Sequence, residues 1–244
     1  MIKFKKKFIQ AHRGAKGLVK FENTIESFQK AYEIGADAVE LDVRKTKDGV
    51  IIVRHDGDYN GILIKDWVYA DLKEETLKEG FYMPTLEEVV EKFHDKIMID
   101  VELKEYGYED EVLNIMGKYL NPDEFYIRSF NIKALRAVKK LNKKVVTVLL
   151  LGIGKPKHGL FTRMFELFPL WKIIYTRCSI VSPHYKAFVY GFQFRMKLLR
   201  KPLLVWTVND KELMRKLLID KNVAGIVTDY PNLGLDVLRE NNIR

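Results

Sequence analysis

A single cysteine, Cys178, stands in 244 residues, so no internal disulfide framework holds this chain together, and a reducing cytosol suits it. It lies in an apolar stretch with no activating neighbour and reads as a small buried hydrophobe, not a nucleophile. Nowhere do about 18 apolar residues run uninterrupted, which argues against a membrane-spanning helix. The basic opening, Met1-Ile2-Lys3-Phe4-Lys5-Lys6-Lys7, leads only into Phe8-Ile9-Gln10-Ala11-His12, too short for the apolar core of a secretion signal. A cytoplasmic protein is therefore expected. Internal repeats, low-complexity tracts and linkers are missing too, so nothing marks a domain boundary within 1–244. No basic stretch is interleaved with stacking aromatics and no recognition helix is visible, so nucleic-acid binding would rest on charge alone and is not expected.

What is present is apolar and basic. A 47% hydrophobic content supports a large core, and the net charge of +9 favours anionic partners such as phosphate esters or an anionic membrane face. Apolar, β-rich runs alternate with helical patterns from end to end. Strands are expected at Phe8–His12, Ala38–Val43, Lys96–Leu103, Glu124–Ser129, Val145–Leu151, Ser179–Ser182, Leu203–Thr207 and Ala224–Thr228. Gly49–His55 returns as a hairpin after the Asp48-Gly49 turn. Helices are expected at Leu86–Phe93, 110–119, Ile132–Leu141, Lys186–Leu199, Lys211–Asp220 and Leu233–Glu240, with one more opened by Asn23, three residues before Glu26. About eight strand–helix units in this length point to a single (β/α)8 TIM barrel, which takes roughly 250 residues; an open doubly wound sheet is the runner-up. Two segments break the alternation: an irregular insertion over about 58–80, after the second strand, and a basic aromatic one over about 152–177, before the sixth.

In such barrels the reacting groups sit at the C-terminal strand ends and on the loops that follow. His12 and Arg13 close the first strand, Glu40 and Asp42 the second, His55 the hairpin return, Glu102 and Lys104 the third, and Ser129 the fourth. Glu40 and Asp42 lie two apart and so share one face of a strand. Together with Glu102 they make a hard-oxygen site for Mg²⁺ or Ca²⁺. His12 and His55 each stand beside an ion-pairing residue, as His12-Arg13 and His55-Asp56, and form the natural acid–base pair. Arg13 and Lys104 are the candidates to bind a phosphate. The equipment is that of metal-assisted phosphoryl or acyl chemistry.

These residues occur in a series of motifs: His12-Arg13-Gly14, Glu22-Asn23-Thr24, Glu40-Leu41-Asp42-Val43, Lys47-Asp48-Gly49, His55-Asp56 and Pro84-Thr85-Leu86-Glu87-Glu88. Further along come Glu102-Leu103-Lys104, Ser129-Phe130, Trp206-Thr207-Val208-Asn209 and Thr228-Asp229-Tyr230-Pro231. In this order they resemble the glycerophosphodiester phosphodiesterase family over nearly the whole chain. The resemblance implies a TIM barrel with a divalent cation (Mg²⁺, Ca²⁺ or Mn²⁺) on Glu40, Asp42 and Glu102. It implies general acid and base roles for His12 and His55, and an apolar wall for the glycerol moiety at Trp206. The implied reaction is metal-dependent hydrolysis of glycerophosphodiesters to sn-glycerol 3-phosphate and an alcohol. Glu22 and Asn23 are read as structural, Asn23 as a helix cap, and Asp229 as a brace of the last turn. The chain departs from the family after His55-Asp56. Where members often carry an Arg-Thr-Thr-type sequence it has Gly57-Asp58-Tyr59-Asn60-Gly61-Ile62, and the insertion looks trimmed.

The second insertion combines an apolar face at helical spacing, Trp171 and several Phe with flanking Lys and Arg over 159–175. Such a segment packs on the barrel or lies peripherally in a membrane interface. The latter suggests, as an alternative substrate, lysolipids cleaved by a lysophospholipase D-type reaction at a membrane surface.

Overall fold

The computed structural model describes residues 6–152, 168–188 and 191–243. Eight parallel strands close into a barrel: β1 (Phe8–Ala11), β2 (Ala38–Lys45), β3 (Met98–Leu103), β4 (Phe125–Ser129), β5 (Val146–Leu151), β6 (Ile180–Pro183), β7 (Leu203–Val205) and β8 (Val223–Thr228). Closure is at β1, which pairs with β8 on one side (Ala11 with Thr228) and β2 on the other (Gln10 with Ala38). The open-sheet alternative is thereby excluded. Ile51–Val53 pairs antiparallel with the end of β2, Val43 opposite Val53, and is the expected hairpin return.

Period-two alternation sorts each strand into an outward and an inward row. Outward residues such as Val39, Leu41, Ile99, Val101 and Ile127 pack against the helices. Inward residues from seven strands, among them Phe8, Ala38, Tyr126, Val148, Ile180, Leu204 and Val227, form one apolar plug. Above the plug the inward rows turn polar: Gln10, then Asp100 and Arg128, then Glu40, Asp42 and Glu102, all buried. The barrel floor is therefore oily and its mouth charged.

Helices α3 (Leu86–Phe93), α4 (Glu109–Gly117), α5 (Ile132–Leu141), α8 (Lys211–Ile219) and α9 (Pro231–Glu240) lie where the sequence places them. Thr85 and Glu88 form the reciprocal capping box that starts α3, and Pro231 at the first turn starts α9. Two expectations shift. The helix α1 (Ile25–Ile34) is capped by Thr24 with Ser27, not by Asn23. The helix expected over Lys186–Leu199 resolves into a 3-10 turn, Tyr185–Ala187, and α7 (Phe192–Leu198).

The first insertion is ordered, not irregular. Asp58–Tyr59 pairs with Ile62–Leu63 across Asn60-Gly61, both at positive φ as a tight hairpin requires. The helix α2 (Tyr69–Lys78) follows, and Ile52, Tyr59, Ile64, Leu72 and Met83 give the insertion a small core of its own. Of the second insertion, α6 (Leu170–Thr176) is described; it packs on α5 through buried Ile173 and Thr176. Its Leu170, Trp171, Ile174 and Tyr175 are exposed, as is Phe168 before it. The expectations for 159–167 lie outside the described residues.

Candidate active site

The strand register brings the carboxylates together. Asp42 on β2 stands opposite Glu102 on β3, and Glu40 opposite Asp100, so Glu40, Asp42 and Glu102 share the inner face of two neighbouring strands. One oxygen from each lies within 4.8 Å of the others, and all three residues are buried. Burial, reinforced by Asp42, pushes Glu40 up to about 8. Burial also carries Glu102 up to about 7; Lys104 offsets part of the rise, while Asp42 and Glu40 add to it. Burial acts on Asp42 in the same sense, but Lys104, Arg13 and the Asn23 amide hold it below the usual carboxylate range. Asp42 Oδ1 is buried without a hydrogen bond, with the Lys104 ammonium 3.2 Å away.

Two cations flank the triad. Lys104 Nζ lies 2.7 Å from Glu102; burial disfavours its charge, yet Glu102 and Asp42 outweigh that and keep it above the ordinary lysine range. Arg13 places Nε 3.3 Å from Asp42 and donates from Nη1 to Glu22 at 2.7 Å, while its backbone N–H donates to Glu40. Arg13 adopts a positive φ, and Gly14 follows at φ +78° against α1, where any Cβ would meet Ser27 Oγ at 2.4 Å. Only glycine lets the loop turn this tightly over the helix.

The two histidines each lean on a carboxylate. His12 Nδ1 is 2.6 Å from Asp229, and Asn209 donates to the other Asp229 oxygen. His55 Nδ1 is 2.8 Å from Asp56. Burial sets the His55 imidazole below its ordinary range; Lys104 lowers it further, and the Asp56 contact works the other way. Such carboxylate contacts fix the tautomer and leave the second ring nitrogen for chemistry.

Trp206, just beyond β7, stands at the same mouth. Its Nε1 donates to the Ser182 carbonyl, and its ring meets Phe130 and His184 edge-on. It is partly exposed and packs against the apolar plug below it.

Sequence reasoning misplaced three groups. Asn23 is not a cap: it sits at φ +56° and donates from Nδ2 to Asp42 at 2.9 Å. Asp229 does more than brace its turn, because it holds His12. Ser129 points away from the mouth and donates to the Leu103 carbonyl, whereas its neighbour Arg128 faces inward. Alternation along β4 carries the signal for that last correction. Cys178 behaves as expected: it is buried, and burial raises its thiol.

A barrel of this form is shared widely. The crystal structure of the glycerophosphodiester phosphodiesterase from Thermotoga maritima is 30% identical, with a TM-score of 0.75 over 95% of this chain and 97% of that one. That of an Oleispira antarctica phosphodiesterase, in complex with the product sn-glycerol-3-phosphate, has a TM-score of 0.78 at 23% identity, over 96% and 97%. In sequence, the glycerophosphodiester phosphodiesterase of Caldanaerobacter subterraneus subsp. tengcongensis is 31% identical over 96% of this chain and 99% of its own length. Residues 12–233 match the glycerophosphoryl diester phosphodiesterase family, from the histidine at the end of β1 to the start of α9, and it is to this family that the chain belongs.

Proposed function

We propose that the barrel mouth hydrolyses glycerophosphodiesters to sn-glycerol 3-phosphate and an alcohol, using a divalent cation on Glu40, Asp42 and Glu102. The observation that carries this reading is one mouth holding a buried carboxylate triad and two carboxylate-braced imidazoles. The donor set suits Mg²⁺, Ca²⁺ or Mn²⁺: all oxygen, three carboxylates, and a buried Asp42 oxygen lacking a hydrogen bond. When bound, such a cation supplies Lewis-acid polarisation of the phosphoryl group.

The chain's own groups do the remaining work. Arg13 and Lys104 bring positive charge to the phosphate, the first as a planar fork and the second as a point charge. One of His12 and His55 takes the proton of the attacking group as its oxygen bonds to phosphorus; that group is water, or the glycerol hydroxyl with water then opening the cyclic phosphate. The other protonates the departing alkoxide as the P–O bond breaks. Asp229 and Asp56 keep the two rings in register for these transfers. Asn23, fixed at positive φ, orients Asp42 within the triad. Trp206 and Phe130 offer an apolar wall to the glycerol backbone.

Release of sn-glycerol 3-phosphate from glycerophosphocholine, followed enzymatically, tests the reading. Turnover should vanish in chelator, return with Mg²⁺, Mn²⁺ or Ca²⁺, and fall roughly 10²–10⁴-fold in His12→Ala or His55→Ala. Full activity in chelator, or a His55→Ala enzyme within twofold of wild type, would overturn it.

The same chemistry on lysolipids is a second reading, and the exposed apolar residues of α6 favour it. Trp171→Ser/Ile174→Ser should then depress liposome binding and lysolipid turnover while glycerophosphocholine cleavage persists. Equal loss on both substrates with a lowered Tm would refute it.

A further inference from the structure

A cavity of about 390 Å³ opens beside His55 and Asp56, within the volume range of small-ligand sites. One wall is aromatic: Phe21 and Phe81 stack at 4.4 Å between ring centroids, and Tyr59 supplies a third ring. The other wall is acidic, with Asp56, Asp58 and Glu79. Among the described residues a single lining cation, Arg54, opposes these three carboxylates, and its guanidinium is engaged with Asp56 at 3.3 Å and lies over the Tyr59 ring. On a chain of net charge +9, this is a local reversal of sign. The rings already attract the protein's own cations, since the Lys20 ammonium lies 4.7 Å from the Phe21 centroid. Aromatic faces backed by carboxylates recognise ammonium groups through cation–π attraction and charge.

The cavity adjoins the reacting groups. Asp56 lines it and holds His55 Nδ1 at 2.8 Å, and the charge of His55 is felt by Asp42 of the triad. Around the barrel it belongs to β2, three strands from β7, after which Trp206 stands. We propose that this cavity seats the departing alcohol and that it selects a cationic ammonium head group, as in choline and ethanolamine esters. The proposal rests on the hydrolytic reading above and adds a preference that the triad and histidines do not dictate. An inositol or glycerol head group brings no charge to pair with those carboxylates.

The test compares kcat/KM on glycerophosphocholine and glycerophosphoethanolamine with kcat/KM on glycerophosphoglycerol and glycerophosphoinositol. Wild type should favour the cationic pair by about tenfold. Asp58→Asn/Glu79→Gln, which alters side chains outside the reacting set and keeps an acceptor for Tyr59, should erase that preference. Its loss on the two neutral head groups should be clearly smaller than its loss on the cationic pair. Calorimetric titration with choline chloride gives a second readout, expected to be saturable in wild type and about tenfold weaker in the variant. Four esters cleaved with equal kcat/KM, or a variant that loses all four equally, would overturn the head-group site and leave phosphodiester hydrolysis standing. No turnover of any ester would overturn hydrolysis and with it the departing-alcohol assignment. Choline binding unchanged in the variant would likewise overturn the site.

Discussion

The charge layer beneath the triad makes the sharpest prediction about stability. Arg128, 2% exposed, donates from Nε to Asp100, which is fully buried, at 2.9 Å, and its Nη2 approaches the same carboxylate at 2.5 Å. Gln10 completes the network, donating to Asp100 and accepting from Arg128. Asp100 Oδ1, however, has no hydrogen-bond partner, so the ion pair is incompletely satisfied. Removing one partner of such a pair strands the other and costs about 3–5 kcal/mol. At about 2–4 °C per kcal/mol for a chain of this size, Arg128→Met should melt roughly 6–20 °C below wild type. Asp100→Leu should do the same by stranding the guanidinium. The double variant strands no charge, only the buried Gln10 amide, and apolar replacements of buried pairs are often neutral, so it should recover to within about 1–3 kcal/mol of wild type. Urea and thermal melts of the four proteins in chelator close the double-mutant cycle. A double variant that loses the sum of both singles, or an Arg128→Met protein that melts with wild type, would refute the reasoning.

Three further outcomes follow from the mouth itself. Because Glu40 and Glu102 sit at about 8 and 7, Mg²⁺ or Ca²⁺ binding at pH 7 should displace roughly one to one and a half protons per ion, falling toward zero at pH 9; calorimetry in buffers of different ionisation enthalpy measures this, and Glu40→Gln should weaken binding. Asp229→Asn frees the His12 tautomer and should cut kcat by roughly 10²-fold or more with an unchanged melt, whereas a fall in Tm alone would make Asp229 a structural brace. The Asp56 contact raises His55 against the stronger effect of burial, so Asp56→Asn should move the His55 limb of the kcat/KM profile to lower pH, and an upward shift would contradict the assignment.

Much of this was legible from residues alone, for reasons that differ by element. Buried strands announce themselves as Val/Ile/Leu runs, and Thr85-x-x-Glu88 starts its helix by purely local hydrogen bonds. The triad was legible because Glu40 and Asp42 obey the two-residue period and Glu102 repeats it on the neighbouring strand. Arg128 and Asp100 obey the same period, so the same pattern also encodes the buried charge layer. Asn60-Gly61 also named its hairpin, in a segment read as irregular. Asn23 and Asp229 were different. The role of Asn23 depends on a positive φ that no local pattern dictates, and that of Asp229 on which strand end comes to lie beside β1.

The His12–Asp229 contact spans 217 residues and exists only where the last strand meets the first. On the proposed mechanism, turnover is thus a reporter of ring closure. A chain truncated before β8 keeps the triad and both imidazoles yet leaves His12 unsteered. During synthesis the nascent protein stays silent toward its substrate until the final strand has emerged and docked. Contacts so distant in sequence form slowly. A stopped-flow refolding experiment that monitors hydrolysis alongside helix signal would therefore show activity lagging behind helicity, and the lag would time the closing of the barrel.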